Sequence, residues 1–445
     1  MSLSVLLLLL LVSSVQAAFY GLVVNYYPNS NGFSRGTLYY KLSNSFCIYN
    51  LPYSIGGESL VLNKVNEESN GGPCQTEGIL TRIFSSNSIF PIPVSGLSWI
   101  SGIKNGIVSF TAQAVVDLRF RSDTGSANTS PQTTIIPAVR VPSNCARNFN
   151  LLMFDPDGDV VKCRNGNMSL SECAPCTPPS VLSLSPSSCT LSFSPTNSSN
   201  EGPYAVQLMM EDFPRETITL TETGGTQTTL TTNDAIGKIP VQFVLIVDPA
   251  VPSCTEGLFL PMFLPPTPAH GAQFFTNVNE TLQITISAQA LNSTISELLF
   301  SGPYTVNKTQ TGPGQFTLTW TPSATEAGQS HPVCFVVQAI FGANKYQSEL
   351  RCVIVRAGNA SNTTSPTLLP AISTTTPPIN TPVYVAGLKM TLTSLGNLFQ
   401  SDQDALLNQV KQVLDSYGLP EGITLRIRSI QPQVAVTAAP ANATT

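Results

Sequence analysis

The sequence predicts a mainly-β chain of tandem sandwiches, and three observations carry that prediction. Short aromatic and β-branched runs recur between Gly, Pro, Asn and Asp clusters, and Phe19–Arg140 keeps no helical periodicity. Two motifs then recur at about one-domain spacing. Val141-Pro142-Ser143-Asn144-Cys145 matches Val251-Pro252-Ser253-Cys254, and Thr190-Leu191-Ser192-Phe193-Ser194-Pro195 matches Thr317-Leu318-Thr319-Trp320-Thr321-Pro322. Self-similarity at that period marks copies of one fold. Several short strands per ~105 residues make each copy a β-sandwich, with Phe193 and Trp320 at equivalent core positions.

Taken in order, residues 1–17 read as a secretory signal peptide, because the apolar run Val5–Val12 is too short to span a bilayer and Val15 and Ala17 suit the peptidase. Residues 18–141 form an all-β domain opening on the hairpin Leu22–Tyr27 and Thr37–Leu42. Residues 142–251 form the next, beginning with a predicted hairpin in which Phe149–Phe154 and Val160–Lys162 flank Asp155-Pro156-Asp157-Gly158-Asp159. Residues 252–357 form a third. Residues 358–382 are a Ser/Thr/Pro-rich linker that proline and O-glycans would hold extended. In residues 383–430, Tyr384–Thr393 alternates as a strand. Ser401 caps a helix with Asp404 three residues on, and Leu406, Val410, Val413, Leu414 and Tyr417 share one face. Gly418 ends it, and Ile423, Leu425 and Ile427 form a second strand. Residues 431–445 are an irregular tail.

Composition narrows the function classes. Charged residues are 11% against the usual ~25%, and 26 acidic against 21 basic residues give a net charge of −5. With no basic stripe, neither nucleic acid nor an anionic membrane is an expected partner. No later stretch is apolar for the ~20 residues a span needs, so a released product interacting with extracellular proteins or matrix is expected.

All ten cysteines follow the signal segment, and a secreted chain uses them as disulfides. Cys47 and Cys74 stand alone in the first region, and Cys334 and Cys352 face each other across a hairpin near Gly342. Cys145 suits Cys163 in the same way, although Cys173, Cys176 and Cys189 allow other choices. Five cysteines lie between Cys145 and Cys189 and three follow from Cys254. Two odd counts point to one bridge crossing that boundary, through Cys254. Glycosylation acceptors are Asn128, Asn167, Asn197, Asn279, Asn292, Asn307, Asn359, Asn362 and Asn442, expected on outward loops and strand edges.

The order DPDGD, then T-L-x-[FW]-x-P, a loop with Gly, and an alternating strand ending in an acid resembles the cadherin-like and Ig-like modules of large extracellular proteins. Phe19–Arg356 is also similar to a family of uncharacterised secreted proteins of fishes and cnidarians. The segments that carry this are Arg121-Ser122-Asp123-Thr124-Gly125, Val141–Cys145, Phe154–Asp159 and Ser253–Leu258. The resemblance implies tandem Ig/cadherin-like sandwiches and an extracellular compartment, with no activity attached. The C-terminal β-α-β piece resembles half of a ferredoxin-like or SEA-type module, but the self-cleavage Gly-Ser-Val-Val-Val pattern is absent.

Calcium is the expected ion. It takes six to eight oxygens, and Asp155, Asp157 and Asp159 place three carboxylates in five residues, with Gly158 permitting the tight backbone. The cadherin-like resemblance adds Asp212, with Glu211 beside it. An Asp-Gly step equally suits a plain polar turn. Catalysis is not expected: His270 and His331 lie in loop-like text, and no P-loop, HExxH or triad pattern is present. These readings together predict a non-catalytic structural or adhesive component of the extracellular matrix. The alternatives are an organic-matrix protein of a mineralised skeleton and a shed or truncated receptor ectodomain.

Overall fold

Aromatic and β-branched runs become strands throughout residues 18–358, the part of the chain that the computed structural model describes (residues 30–34, 48, 50, 51 and 56 excepted). The expected signal peptide, the β-α-β segment, Asn359, Asn362, Asn442 and all of the linker but Gly358 lie outside the described residues. In the first region β1 (Phe19–Pro28) and β2 (Arg35–Asn44) pair antiparallel from Phe19↔Asn44 to Pro28↔Gly36. The sheet continues from β2 to β5, β4 and β3, where β3 is Pro52–Ile55, β4 Glu58–Glu67 and β5 Cys74–Ile83. A hairpin of β6 (Ile89–Ser98) and β7 (Ser109–Asp117) follows, then the short β8 (Phe120–Arg121).

The second region contributes β9 (Ala138–Pro142), β10 (Arg147–Asn150), β11 (Val160–Asn165), β12 (Leu182–Ser185), β13 (Thr190–Phe193), β14 (Gly202–Phe213), β15 (Ile218–Thr221), β16 (Gln227–Leu230) and β17 (Lys238–Asp248). One layer has the order β9-β17-β14-β11 and the other β10-β13-β12. The third region repeats this plan with β18 (Met262–Leu264), β19 (Ala272–Asn277), β20 (Leu282–Gln289), β21 (Thr294–Ser301), β22 (Asn307–Gly312), β23 (Gln315–Trp320), β24 (Ser330–Phe341), β25 (Asn344–Gln347) and β26 (Arg351–Gly358). Its layers run β19-β26-β24-β21 and β18-β20-β23-β22. In both copies the first strand of the larger layer joins the last one parallel, β9 to β17 and β19 to β26. Two layers of this order, antiparallel apart from that pair, are Ig/cadherin-like sandwiches.

The T-L-x-[FW] repeat falls on β13 and β23. Each is followed by a single 3₁₀ turn (Ser198–Asn200, Ala324–Glu326) and a twelve-residue strand, β14 or β24. Phe193 and Trp320 are buried in their respective cores. The Val-Pro-Ser-Cys repeat has a different meaning. Val141 lies opposite Val247 and Pro142 opposite Asp248 in the parallel β9–β17 pair, so the two copies leave the sheet side by side. Cys145 and Cys254 then close a bond between them, with Cα atoms 5.4 Å apart.

The hairpin expected across Asp155–Asp159 is a correction. β10 pairs with β13 and β11 with β14, so the segment crosses between opposite layers of the sandwich. Cys145 therefore does not meet Cys163, which bonds Cys189 instead. Cys47–Cys74, Cys173–Cys176 and Cys334–Cys352 complete five disulfides.

A string of separate modules was the expected layout, and the structure differs from it. The first region and the second sandwich share an eleven-stranded sheet, because β17 pairs with β1 at Leu22↔Gln242 and Val23↔Val241. A Cβ on Gly21 would lie 2.0 Å from the Gln242 carbonyl oxygen, so only glycine allows this approach. The boundary expected at Val141 falls within β9. The third sandwich is joined through the outer face of its larger layer. On β24, Val333, Phe335 and Val337 point into the sandwich, while Cys334 and Val336 enter the core shared with the first two regions. Polar contacts seal the join. Lys41 pairs with Glu77 at 2.5 Å and donates to the Gly302 carbonyl at 2.6 Å, and Tyr27 donates to the Ser330 carbonyl at 2.5 Å. The described residues 18–358 fall within one compact unit.

Candidate metal centre

The carboxylates of Asp155, Asp157 and Asp159 converge where the chain crosses between layers. Asp155 Oδ1 accepts from the backbone N–H groups of Asp157 (2.9 Å) and Asp159 (3.1 Å), which winds the segment around that side chain. Gly158 sits at φ +87°, a left-handed conformation that glycine adopts without strain. One oxygen from each of the three aspartates falls within 4.8 Å of the others.

Two more carboxylates and one cation complete the site. Asp212, near the end of β14, is fully buried and accepts from Asn128 Nδ2 (2.6 Å) and the Gly237 N–H (3.1 Å). Arg121, on β8, is fully buried as well. Its guanidinium donates to both oxygens of Asp159, one at 2.8 Å, to Asp123 at 2.7 and 3.1 Å, and to Asn128 Oδ1 at 2.5 Å. Asp157 accepts from the Thr129 N–H at 2.7 Å. Asn128 Nδ2 also reaches the Tyr26 hydroxyl at 3.3 Å. Side chains from β1, β8, the Asp123–Thr129 loop, the crossing segment and β14 therefore meet in one cluster.

Five carboxylates face one guanidinium, and the imbalance shows in their proton affinities. Burial, reinforced by Asp159 and Asp157, pushes the Asp155 carboxyl up to about 7. Burial and the charge of Asp155 push Asp212 well above the usual carboxylate range. Burial also raises Asp157, against its Thr129 hydrogen bond and Arg121. Asp123 goes the other way, held low by its hydrogen bonds from Arg121. Asp155 Oδ2 is buried and has no hydrogen-bond partner. An all-oxygen donor set with excess negative charge and one unpartnered carboxylate oxygen fits a hard divalent cation such as calcium. Asp155, Asp157 and Asp159 are the carboxylates close enough to share an ion, with the unpartnered Asp155 Oδ2 the free donor, while Asp212 is held by Asn128 and the Gly237 N–H and Asp159 by Arg121.

Several sequence expectations change at this site. Glu211 points to the other face of β14 and pairs with Arg164 at 2.7 Å, so it takes no part. Asn128 is a correction among the glycosylation acceptors: its amide is fully buried and committed to Asp212 and Tyr26, leaving no room for a sugar. Asn167, Asn197, Asn279, Asn292 and Asn307 are exposed. Arg121, Asp123 and Tyr26 join the site with no expectation from the sequence, and Asn128 joins it as a buried amide in place of the expected sugar acceptor. The one signal was Arg121–Gly125, which carried the family resemblance without a role. The histidines lie elsewhere: His270 Nδ1 accepts from the Cys352 N–H at 3.2 Å, and His331 is buried against Trp320 and Tyr39.

No family model and no curated protein matches the chain. Among solved structures, human protocadherin-24 EC1-2 is 11% identical, with 52% of this chain and 99% of that one covered at a TM-score of 0.16. Sidekick-1 immunoglobulin domains 1–4 are 10% identical over 76% of this chain and 75% of theirs, TM-score 0.17. The human desmocollin-1 ectodomain is 10% identical over 76% and 55%, TM-score 0.17. The sandwich assignment rests on strand order.

Proposed function

We propose that this chain is an extracellular, non-catalytic structural or adhesive glycoprotein, a single disulfide-locked β-block with calcium held at the Asp155–Asp212 cluster. The observation that carries this reading is the cysteine usage: all ten close into five disulfides across the scaffold, a state that persists in oxidising compartments. Exposed acceptors at Asn167, Asn197, Asn279, Asn292 and Asn307 agree with a glycosylated surface. Fusion of the first region with the two sandwiches favours a rigid unit that presents faces to matrix or cell-surface proteins over a flexible spacer. A mineral-binding role is not favoured, because the densest acidic cluster is buried and tied to Arg121.

Bead aggregation tests the adhesive part. Beads coated with the chain, secreted from an animal cell line, are expected to cluster or to capture cell-derived matrix in millimolar calcium and to disperse in chelator. Beads that stay dispersed, and capture no matrix, in both conditions would overturn it.

A further inference from the structure

Four of the five disulfides span 18 to 109 residues, whereas Cys173-Ala174-Pro175-Cys176 closes over a separation of 3. The constraint that a disulfide places on the unfolded chain grows with loop length, so the scaffold depends least on this bond. Its two sulfurs are in unlike surroundings. Cys173 is fully buried and seated against backbone: a Cβ on Gly166 would lie 2.5 Å from its Sγ. Cys176 is part-exposed and lines an open cleft of about 710 Å³ with Arg164, Met168, Pro175 and Lys238. That volume suits a small peptide or metabolite. Arg164 pairs with both Glu172 and Glu211, and Lys238 with Glu172, so the cleft is close to neutral and selects by access.

We propose that Cys173–Cys176 is a thiol–disulfide exchange site that receives a low-molecular-mass thiol through this cleft. The incoming thiolate attacks Sγ of Cys176. The protein S–S bond breaks, and its electron pair leaves on Sγ of Cys173, giving a mixed disulfide at Cys176. A second thiolate attacks the outer sulfur, releasing Cys176 as a thiolate and forming the external disulfide. Two external thiols are oxidised, the protein bond gains two electrons, and the two protons end on Cys173 and Cys176. Cys47 and Cys254 are also reachable from solvent, but their partners lie 27 and 109 residues away, and those bonds hold strand Cys74–Ile83 and the paired exits of β9 and β17.

Differential alkylation of the full secreted chain tests this. The protein is equilibrated with graded glutathione under native conditions, blocked with an alkylating reagent and mapped by peptide mass spectrometry. Cys173 and Cys176 are expected to open at a thiol concentration about tenfold below that for the other eight cysteines, with the circular dichroism spectrum retained. The glutathione adduct should map to Cys176. A Cys173→Ser/Cys176→Ser double variant should be secreted with an unchanged melting temperature. Earlier opening at Cys254 or Cys47, opening only together with unfolding, or an adduct on Cys173 would overturn the proposal.

Discussion

Asp155 is held in a site that disfavours its charge, and this sets a pH dependence of definite sign. Its folded pKa, about 7, lies above the ordinary carboxylate value, so the folded state binds the extra proton. The stability it contributes is complete below pH ~4 and is lost as the pH rises through about 7. In chelator, wild type should therefore lose on the order of a few kcal/mol relative to Asp155→Asn between pH 4.5 and 7.5. Urea denaturation of the two proteins at both pH values checks this, and parallel curves would count against a buried, strained carboxylate. Asn128 makes a second prediction at this scale. Glycopeptide mapping of the secreted chain should find it bare, and Asn128→Ala should cost about 1–3 kcal/mol by leaving Asp212 Oδ2 and Arg121 with lost partners. The acidic half of this site was legible because Asp155, Asp157 and Asp159 are neighbours in the chain. Arg121 was not, since it meets Asp159 across 38 residues and nothing local to it signals that pairing.

Strand β24 shows why the individual strands were legible and their packing was not. Its sequence, SHPVCFVVQAIF, carries apolar residues on both faces, and only its last two residues escape full burial. A sandwich strand with one solvent face alternates, as β20 does with LQITISAQ. The continuous run on β24 was therefore a sign of a third layer. The substitution Val336→Asp places a charge among the apolar side chains of the shared core. Secretion should fall to background, measured by immunoblot of medium against cell lysate. A solvent-facing Val336 would tolerate the change. On the other face, Trp320→Ala removes a ring packed against His331 and hydrogen-bonded to Thr305, a loss of about 3–5 kcal/mol by chemical denaturation. The crossing segment at Asp155–Asp159 was misread for a related reason: Asp-Gly between two apolar runs describes a hairpin and a layer crossing equally well.

For the whole molecule, the internal repeat conveyed two equivalent sandwiches, while their fusion through β1, β9 and β17 depended on pairings between residues more than 100 positions apart. The Cys145–Cys254 bond clamps that junction across 109 residues. The Cys145→Ser/Cys254→Ser variant should lose about 2–5 kcal/mol of stability and melt in one transition, because side chains of all three regions pack into the shared core. The segment 142–251 taken alone would lack Arg121, Asp123 and Asn128 and would expose the β17 edge, so the cation site has to be tested in the full chain. Calcium titration of that secreted chain, read by thermal melting beside Asp155→Asn, is the most direct measurement. Wild type should gain stability as RT ln(1 + [L]/Kd), reaching about 2.7 kcal/mol at a hundredfold excess over Kd, while Asp155→Asn shows a much smaller shift. A wild-type melting temperature unmoved by ~5 mM calcium, in the range where extracellular modules bind it, would contradict the cation site.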